Sequence, residues 1–131
     1  MKGRSAAIAY GCASVAYAGA IFWASSLPRL SFPNAAGQAC SLATNLFHVP
    51  LYATLSFLIA RALSSGRSDA PSWRLSTLAL LLAGVSAALD EWHQSFVPGR
   101  TGALSDFLLD VAGIGWMLLL LSFETRMEVD S

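Results

Sequence analysis

The feature that most constrains this chain is a set of four long stretches almost free of charge. Three cover residues 6–24, 46–63 and 75–89, and the fourth covers 111–123, extended backwards by Phe107, Leu108 and Leu109. A bilayer core requires about 20 apolar residues per helical span, so four spans take up roughly 80 of the 131 residues and leave loops but no second domain. The expected fold is therefore all-α: a single polytopic membrane domain over residues 1–131, a bundle of four transmembrane helices at approximately 6–24, 46–63, 75–95 and 105–123. Charged residues are 12% of the chain against 55% hydrophobic, which excludes a disordered chain. Eight basic residues balance eight acidic ones, so there is no basic field for nucleic acid.

The first stretch follows Lys2 and Arg4 and contains Ala18-Gly19-Ala20, which invites a signal-peptide reading. Its apolar run is longer than a signal core, and three more apolar segments follow it, so an uncleaved first span is expected. Within it Cys12, Ala16, Ala20 and Ala24 recur every four residues, a small-residue stripe of the kind that admits a neighbouring helix. Residues 25–45, with Pro28, Pro33 and several Ser, Thr and Asn, read as the first loop; 64–72 and 98–105 read as the second and third. Pro98-Gly99 suits the centre of a type II turn. Cys12 falls in the first span and Cys40 in the first loop, which makes them poor partners for a disulfide or a shared metal.

Six of the eight basic residues (Lys2, Arg4, Arg61, Arg67, Arg74 and Arg126) fall on one side of this topology, leaving Arg29 and Arg100 on the other. The excess of Lys and Arg marks the cytoplasmic side, so both termini are expected in the cytoplasm of a multi-pass cell-membrane protein. That orientation brings the polar residues of four segments to the outer leaflet: Ser25 and Ser26; His48 and Tyr52; Asp90, Glu91, His93 and Gln94; Asp106 and Asp110. If span three starts near Leu75, Asp90 lies about 22 Å along its axis, still inside a hydrocarbon core of about 30 Å. A carboxylate at that depth costs about 2.5 kcal/mol or more and normally faces the bundle interior or a wet cavity. An outward-opening polar pocket is the expectation. Asp90 and Gln94 share a helix face, as do Asp106 and Asp110. Glu91 points roughly a hundred degrees away from Asp90, so only one of the two is expected deep in the pocket. Asp106 follows Ser105, a residue suited to cap the fourth helix. Trp23, Trp73, Trp92 and Trp116 read as interface anchors.

The run Asp90-Glu91-Trp92-His93-Gln94-Ser95-Phe96-Val97-Pro98-Gly99-Arg100, followed by Asp106, Asp110 and Gly113, resembles the signature of the VanZ-like membrane protein family. Phe22, Ser25, Ser26 and Pro28 resemble its Phe-x-x-Ser-Ser-x-Pro element, and His48 with Tyr52 its His-x-x-x-Tyr element. The chain departs from the pattern at Asn45, where a Lys is common, and at Asp110, where an Asn is common. The resemblance implies an integral membrane protein. Its namesake is associated with resistance to the glycopeptide teicoplanin, and no settled reaction comes with it.

Two classes of function fit the pattern. An intramembrane site acting on a membrane lipid or lipid-linked envelope intermediate would use Asp90, Glu91 and His48 for acid–base chemistry, with Arg100, Gln94, Asp106, Asp110, Tyr52 and Ser26 on the substrate. Asp90, Glu91 and Asp106 are candidate ligands for a divalent cation such as Mg²⁺ or Mn²⁺. The alternative is a non-catalytic accessory or binding protein, or a component of a proton-coupled transporter, working as a homo-oligomer or with a partner membrane protein. A purely structural reading, in which His48, Arg100 and the acids lock four helices together, stands beside both.

Overall fold

The computed structural model describes residues 2–28, 35–64, 71–100 and 102–129, with side chains described over 3–28, 46–64, 71–100 and 102–123. It contains four α-helices: α1 (Lys2–Ser25), α2 (Ala35–Leu63), α3 (Trp73–Gln94) and α4 (Leu104–Val129). All four are long and apolar enough to cross a membrane. Among the described residues there are no strands.

The second helix begins well before the predicted span. The loop expected to reach Asn45 gives way to helix at Ala35. The physical reason lies in residues 35–45, which follow the last proline of the loop and include four alanines, the strongest helix formers. Cys40 therefore belongs to α2 rather than to a loop; its side chain lies outside the described residues, as do Arg29 and Pro33 and residues 65–70 of the second predicted connection. Pro50 sits inside α2 and cannot donate to the carbonyl of Leu46, one turn earlier.

The third connection folds as anticipated. Arg100 N–H donates to Val97 O at 3.1 Å across Pro98-Gly99, and Gly99 has φ 77°, the positive value that the third position of a type II turn requires. Where that turn leads into α4, the capping expectation fails. Helix α4 starts at Leu104, so Ala103 holds the cap position and its carbonyl accepts from Asp106 and Phe107. Ser105 is already inside the helix, its hydroxyl 3.3 Å from Asp106 Oδ1.

The most extensive contact is between α2 and α4; α3 packs on both, and α1 lies mainly against α2 and touches α3 only slightly. The core runs through Tyr52, Leu55, Ala60, Ile114, Leu118 and Leu121, with Ala79, Ala83 and Ala87 of α3 closing on it. Small residues four apart thus do bring helices together here, but on α3. Cys12, Ala16, Ala20 and Ala24 of α1 are all exposed, and the buried positions of α1 are Ile21 and Ser25. Most large side chains outside the core, among them Val15, Leu81, Val85, Leu119 and the four tryptophans, are exposed, as expected of helices bathed in lipid rather than water.

Candidate functional site at the ends of α1 and α3

The alanine stripe of α3 runs straight into polar residues on the same face: after Ala79, Ala83 and Ala87 come Asp90, Glu91 and Gln94, all buried. Two polar clusters form there. In the first, Asp90 accepts from Ser25 Oγ through Oδ1 at 2.5 Å and from Gln94 Nε2 through Oδ2 at 2.9 Å. Ser25 is the last residue of α1, so this contact ties the ends of α1 and α3 together. Arg100 extends the tie. Its Nη1 reaches Gln94 Oε1 at 3.3 Å, while Nε and Nη2 donate to the carbonyls of Leu27 and Ala24 at 3.1 and 3.0 Å. These carbonyls lie at the C-terminal end of α1, where helix carbonyls lack internal partners and favour a cation.

The second cluster lies between α2, α3 and α4. His48 Nδ1 is 3.0 Å from Asp110 Oδ1 and 3.8 Å from Glu91 Oε1, and Glu91 Oε2 accepts the backbone N–H of Ala103 at 2.9 Å. Two glycines make the approach possible. A Cβ placed on Gly113 would lie 2.3 Å from Val49 O, so α4 meets α2 only because that atom is missing. A Cβ on Gly102 would lie 2.3 Å from Glu91 O, so the turn folds against the end of α3 for the same reason. Both sit beside the groups they bring together: Val49 follows His48, Gly113 is one turn after Asp110, and Gly102 precedes Ala103.

Two cavities flank α1 and converge on the first cluster. One, of about 260 Å³, opens between α1 and α2 and is lined by Tyr17, Ala20, Ile21, Ala24, Phe47 and Leu51, with Ser25, His48, Tyr52, Asp90, Gln94 and Arg100 at its polar end. The other, of about 300 Å³, lies between α1 and α3, lined by Ala18, Gly19, Phe22, Leu55, Ser86 and Leu89, and shares Ile21, Tyr52 and Asp90 with the first. Within the small-residue stripe of α1, Ala20 and Ala24 thus line an opening instead of a helix contact.

The family model VanZ/LLP1 matches residues 13–124, from within α1 through the whole apolar part of α4. This chain belongs to the VanZ/LLP1 family. No curated protein and no solved structure matches it.

In this VanZ/LLP1 chain the residues expected at the site come together in two adjoining clusters, with three revisions. Of the acidic pair only Asp90 lines the cavities, as the roughly hundred degrees between them implies; Glu91 is buried on its own side of the helix, where the turn after α3 folds back and encloses it. Ser25, not Ser26, enters the cluster at Asp90. Ser26 Oγ instead donates to Phe22 O at 2.7 Å and lies 3.0 Å from His93 Nε2, whose ring is tilted against Phe22. The expected cation set of Asp90, Glu91 and Asp106 is not brought together; His48, Glu91 and Asp110 are, with one ligand atom from each within 4.8 Å of the others. Asp106 is buried one turn before Asp110, on the same face of α4. Finally, at least three hydrogen bonds of Arg100 go to protein acceptors, so it orders the mouth of the first cavity before any substrate arrives.

Proposed function

We propose that this VanZ/LLP1 protein lies in the cell membrane with both termini in the cytoplasm and binds a cell-envelope lipid or lipid-linked intermediate at the outer leaflet. The observation that carries this reading is the pair of mainly apolar cavities on either side of α1 that meet at one buried carboxylate, Asp90. A water-soluble substrate gains nothing from apolar grooves between membrane helices. A lipid gains a place for its chains beside α1 and a polar terminus for its headgroup. In this reading Asp90, held by Ser25 and Gln94, takes a hydroxyl or amine of the headgroup. His48, held by Asp110, stands across the same cleft as the acid–base group. The link to teicoplanin resistance is carried by the family likeness alone and would follow from an altered envelope lipid.

The test is lipid profiling of a strain lacking the protein, complemented with wild type or Asp90→Asn. We expect an envelope lipid to change in the deletion strain and to be restored by wild type but not by Asp90→Asn. An unchanged profile on deletion, or full restoration by an inserted and folded Asp90→Asn, would refute the reading.

A further inference from the structure

We infer that His48, Glu91 and Asp110 form a binding site for a first-row divalent transition-metal ion of the Zn²⁺ type. The site belongs to a different cluster from Asp90; it shares His48 and Asp110 with the lipid reading, but its test reads metal binding alone and can fail while that reading stands.

Three observations converge on it. The three side chains come from three helices and each presents a ligand atom within 4.8 Å of the other two. All three residues are buried, Asp110 completely and Glu91 to more than nine-tenths. And the cluster holds more acceptor capacity than the protein satisfies: Glu91 Oε1 and Asp110 Oδ2 are both buried without a hydrogen-bond partner. A buried carboxylate oxygen without a partner is costly, and one on each of two neighbouring carboxylates is an arrangement that helix packing alone does not call for. Glu91 Oε1 lies 3.8 Å from His48 Nδ1, which already stands 3.0 Å from Asp110 Oδ1, so one oxygen of each carboxylate flanks the imidazole nitrogen.

The donor set selects the ion. Two carboxylates and one neutral imidazole carry two negative charges, which a divalent cation cancels in a region where net charge is costly. Ligand atoms about 2.0–2.2 Å from a metal ion lie roughly 3.0–3.6 Å from one another, and the distances of 3.0 and 3.8 Å approach that range without rearrangement of the backbone. The imidazole favours Zn²⁺ over Mg²⁺ or Ca²⁺, which prefer oxygen alone, and Mn²⁺ binds such a mixed set more weakly than Zn²⁺. A metal on Nδ1 leaves the proton of a neutral His48 on Nε2, setting the tautomer of a ring that also lines the cleft beside Asp90. The cation would tie α2, α3 and α4 together where each helix supplies one ligand.

The experiment is elemental analysis and metal titration of the full-length protein in lipid nanodiscs, after chelator treatment, with Zn²⁺, Mn²⁺ and Mg²⁺ in turn. One saturable Zn²⁺ site per chain is expected, with weaker Mn²⁺ binding and no competition from Mg²⁺. Glu91→Gln and Asp110→Asn should each weaken Zn²⁺ at least about tenfold, the loss typical even of a supporting residue around a metal, while His93→Ala leaves it unchanged. Pulsed electron paramagnetic resonance of Mn²⁺-loaded wild type gives a readout that needs no folded variant: coupling to a single imidazole nitrogen is expected. Absence of saturable Zn²⁺ binding to wild type, equal losses in His93→Ala, or Mn²⁺ without nitrogen coupling would each overturn the proposal.

Discussion

His48 of α2 and Asp110 of α4, 62 residues apart in sequence, meet at 3.0 Å between Nδ1 and Oδ1 in a buried site. The contact exists because α2 and α4 approach closely enough for the carbonyl of Val49 to occupy the space that a side chain on Gly113 would need. The most extensive helix contact of the bundle and its buried histidine–carboxylate cluster are therefore one feature. Any change that pushes the helices apart also separates the imidazole from the carboxylate.

Gly113→Ala tests this directly. Its methyl group would collide with Val49 backbone atoms, so we expect a loss of about 1–3 kcal/mol from overpacking, read as a lower thermal midpoint in detergent. Gly115→Ala meets nothing within 4 Å; it should be neutral or stabilise α4 by up to about 1 kcal/mol, the usual helix preference of Ala over Gly. Equal behaviour of the two variants would refute the close-approach argument.

Ser25 and Ser26 are neighbours with different surroundings. Removing the Ser25 hydroxyl takes a donor from a buried carboxylate, and Ser25→Ala should cost about 1.5–3 kcal/mol. Ser26→Ala, at a partly exposed position, should stay within about 0.5 kcal/mol of wild type. A double-mutant cycle of Ser25→Ala with Asp90→Asn should give a coupling of roughly 1 kcal/mol or more; a coupling near zero would show that the two do not interact.

These serines also show where sequence reading stops. Runs of apolar residues sufficed for the four helices, and the polar residues could be assigned to one end of the bundle from chain direction alone. Which of two adjacent residues faces inward depends on helix phase, and one residue is about a hundred degrees of rotation. That is why Ser26 stood in for Ser25. Helix phase correctly separates Glu91 from the face of Asp90, but its burial depends on the turn after α3, an irregular segment with no periodicity to read. The small-residue stripes of α1 and α3 have the same spacing in the sequence, yet only the one on α3 continues into buried polar residues. That continuation, Ala87 to Asp90 and then Gln94, was a usable signal. The start of α2 was obscured by Ser, Thr and Asn among helix-forming alanines.

Arg100 reaches acceptors on two helices through three different nitrogens. A lysine keeps the charge but has a single ammonium centre and cannot span Ala24 O, Leu27 O and Gln94 Oε1 together. Arg100→Lys should lower stability by about 1–2 kcal/mol, in the range of charge-assisted hydrogen bonds at a partly exposed site. It should also speed amide hydrogen exchange at the end of α1, with little change in α4. An unchanged exchange pattern in α1 would mean that charge rather than geometry is what the position requires.

Glu91 holds the entrance to α4 through the N–H of Ala103. In metal-free protein Glu91→Gln keeps an acceptor and should cost less than about 1 kcal/mol, whereas Glu91→Ala leaves that N–H without its partner and should cost about 1–3 kcal/mol. Hydrogen exchange over the first turn of α4 would localise the effect. Equal losses in the two variants would indicate that the carboxylate's charge, not its hydrogen bond, supports the turn.

Ala20 offers a way to block the cleft without touching its polar end. It is exposed on α1 and lines the cavity between α1 and α2, so a phenyl ring there fills space that the proposed lipid chain would occupy. Ala20→Phe should remain within about 0.5 kcal/mol of wild type in thermal unfolding, as expected of an exposed position, yet fail to restore the lipid profile of a deletion strain. Val15→Phe enlarges another exposed side chain of α1 that lines neither cavity, and it should restore the profile fully. Complementation by both variants would show that the cleft is not the route of the lipid. Failure of both would point to the lipid-facing surface of α1 as a whole, and only a loss confined to Ala20→Phe assigns the function to the space between α1 and α2.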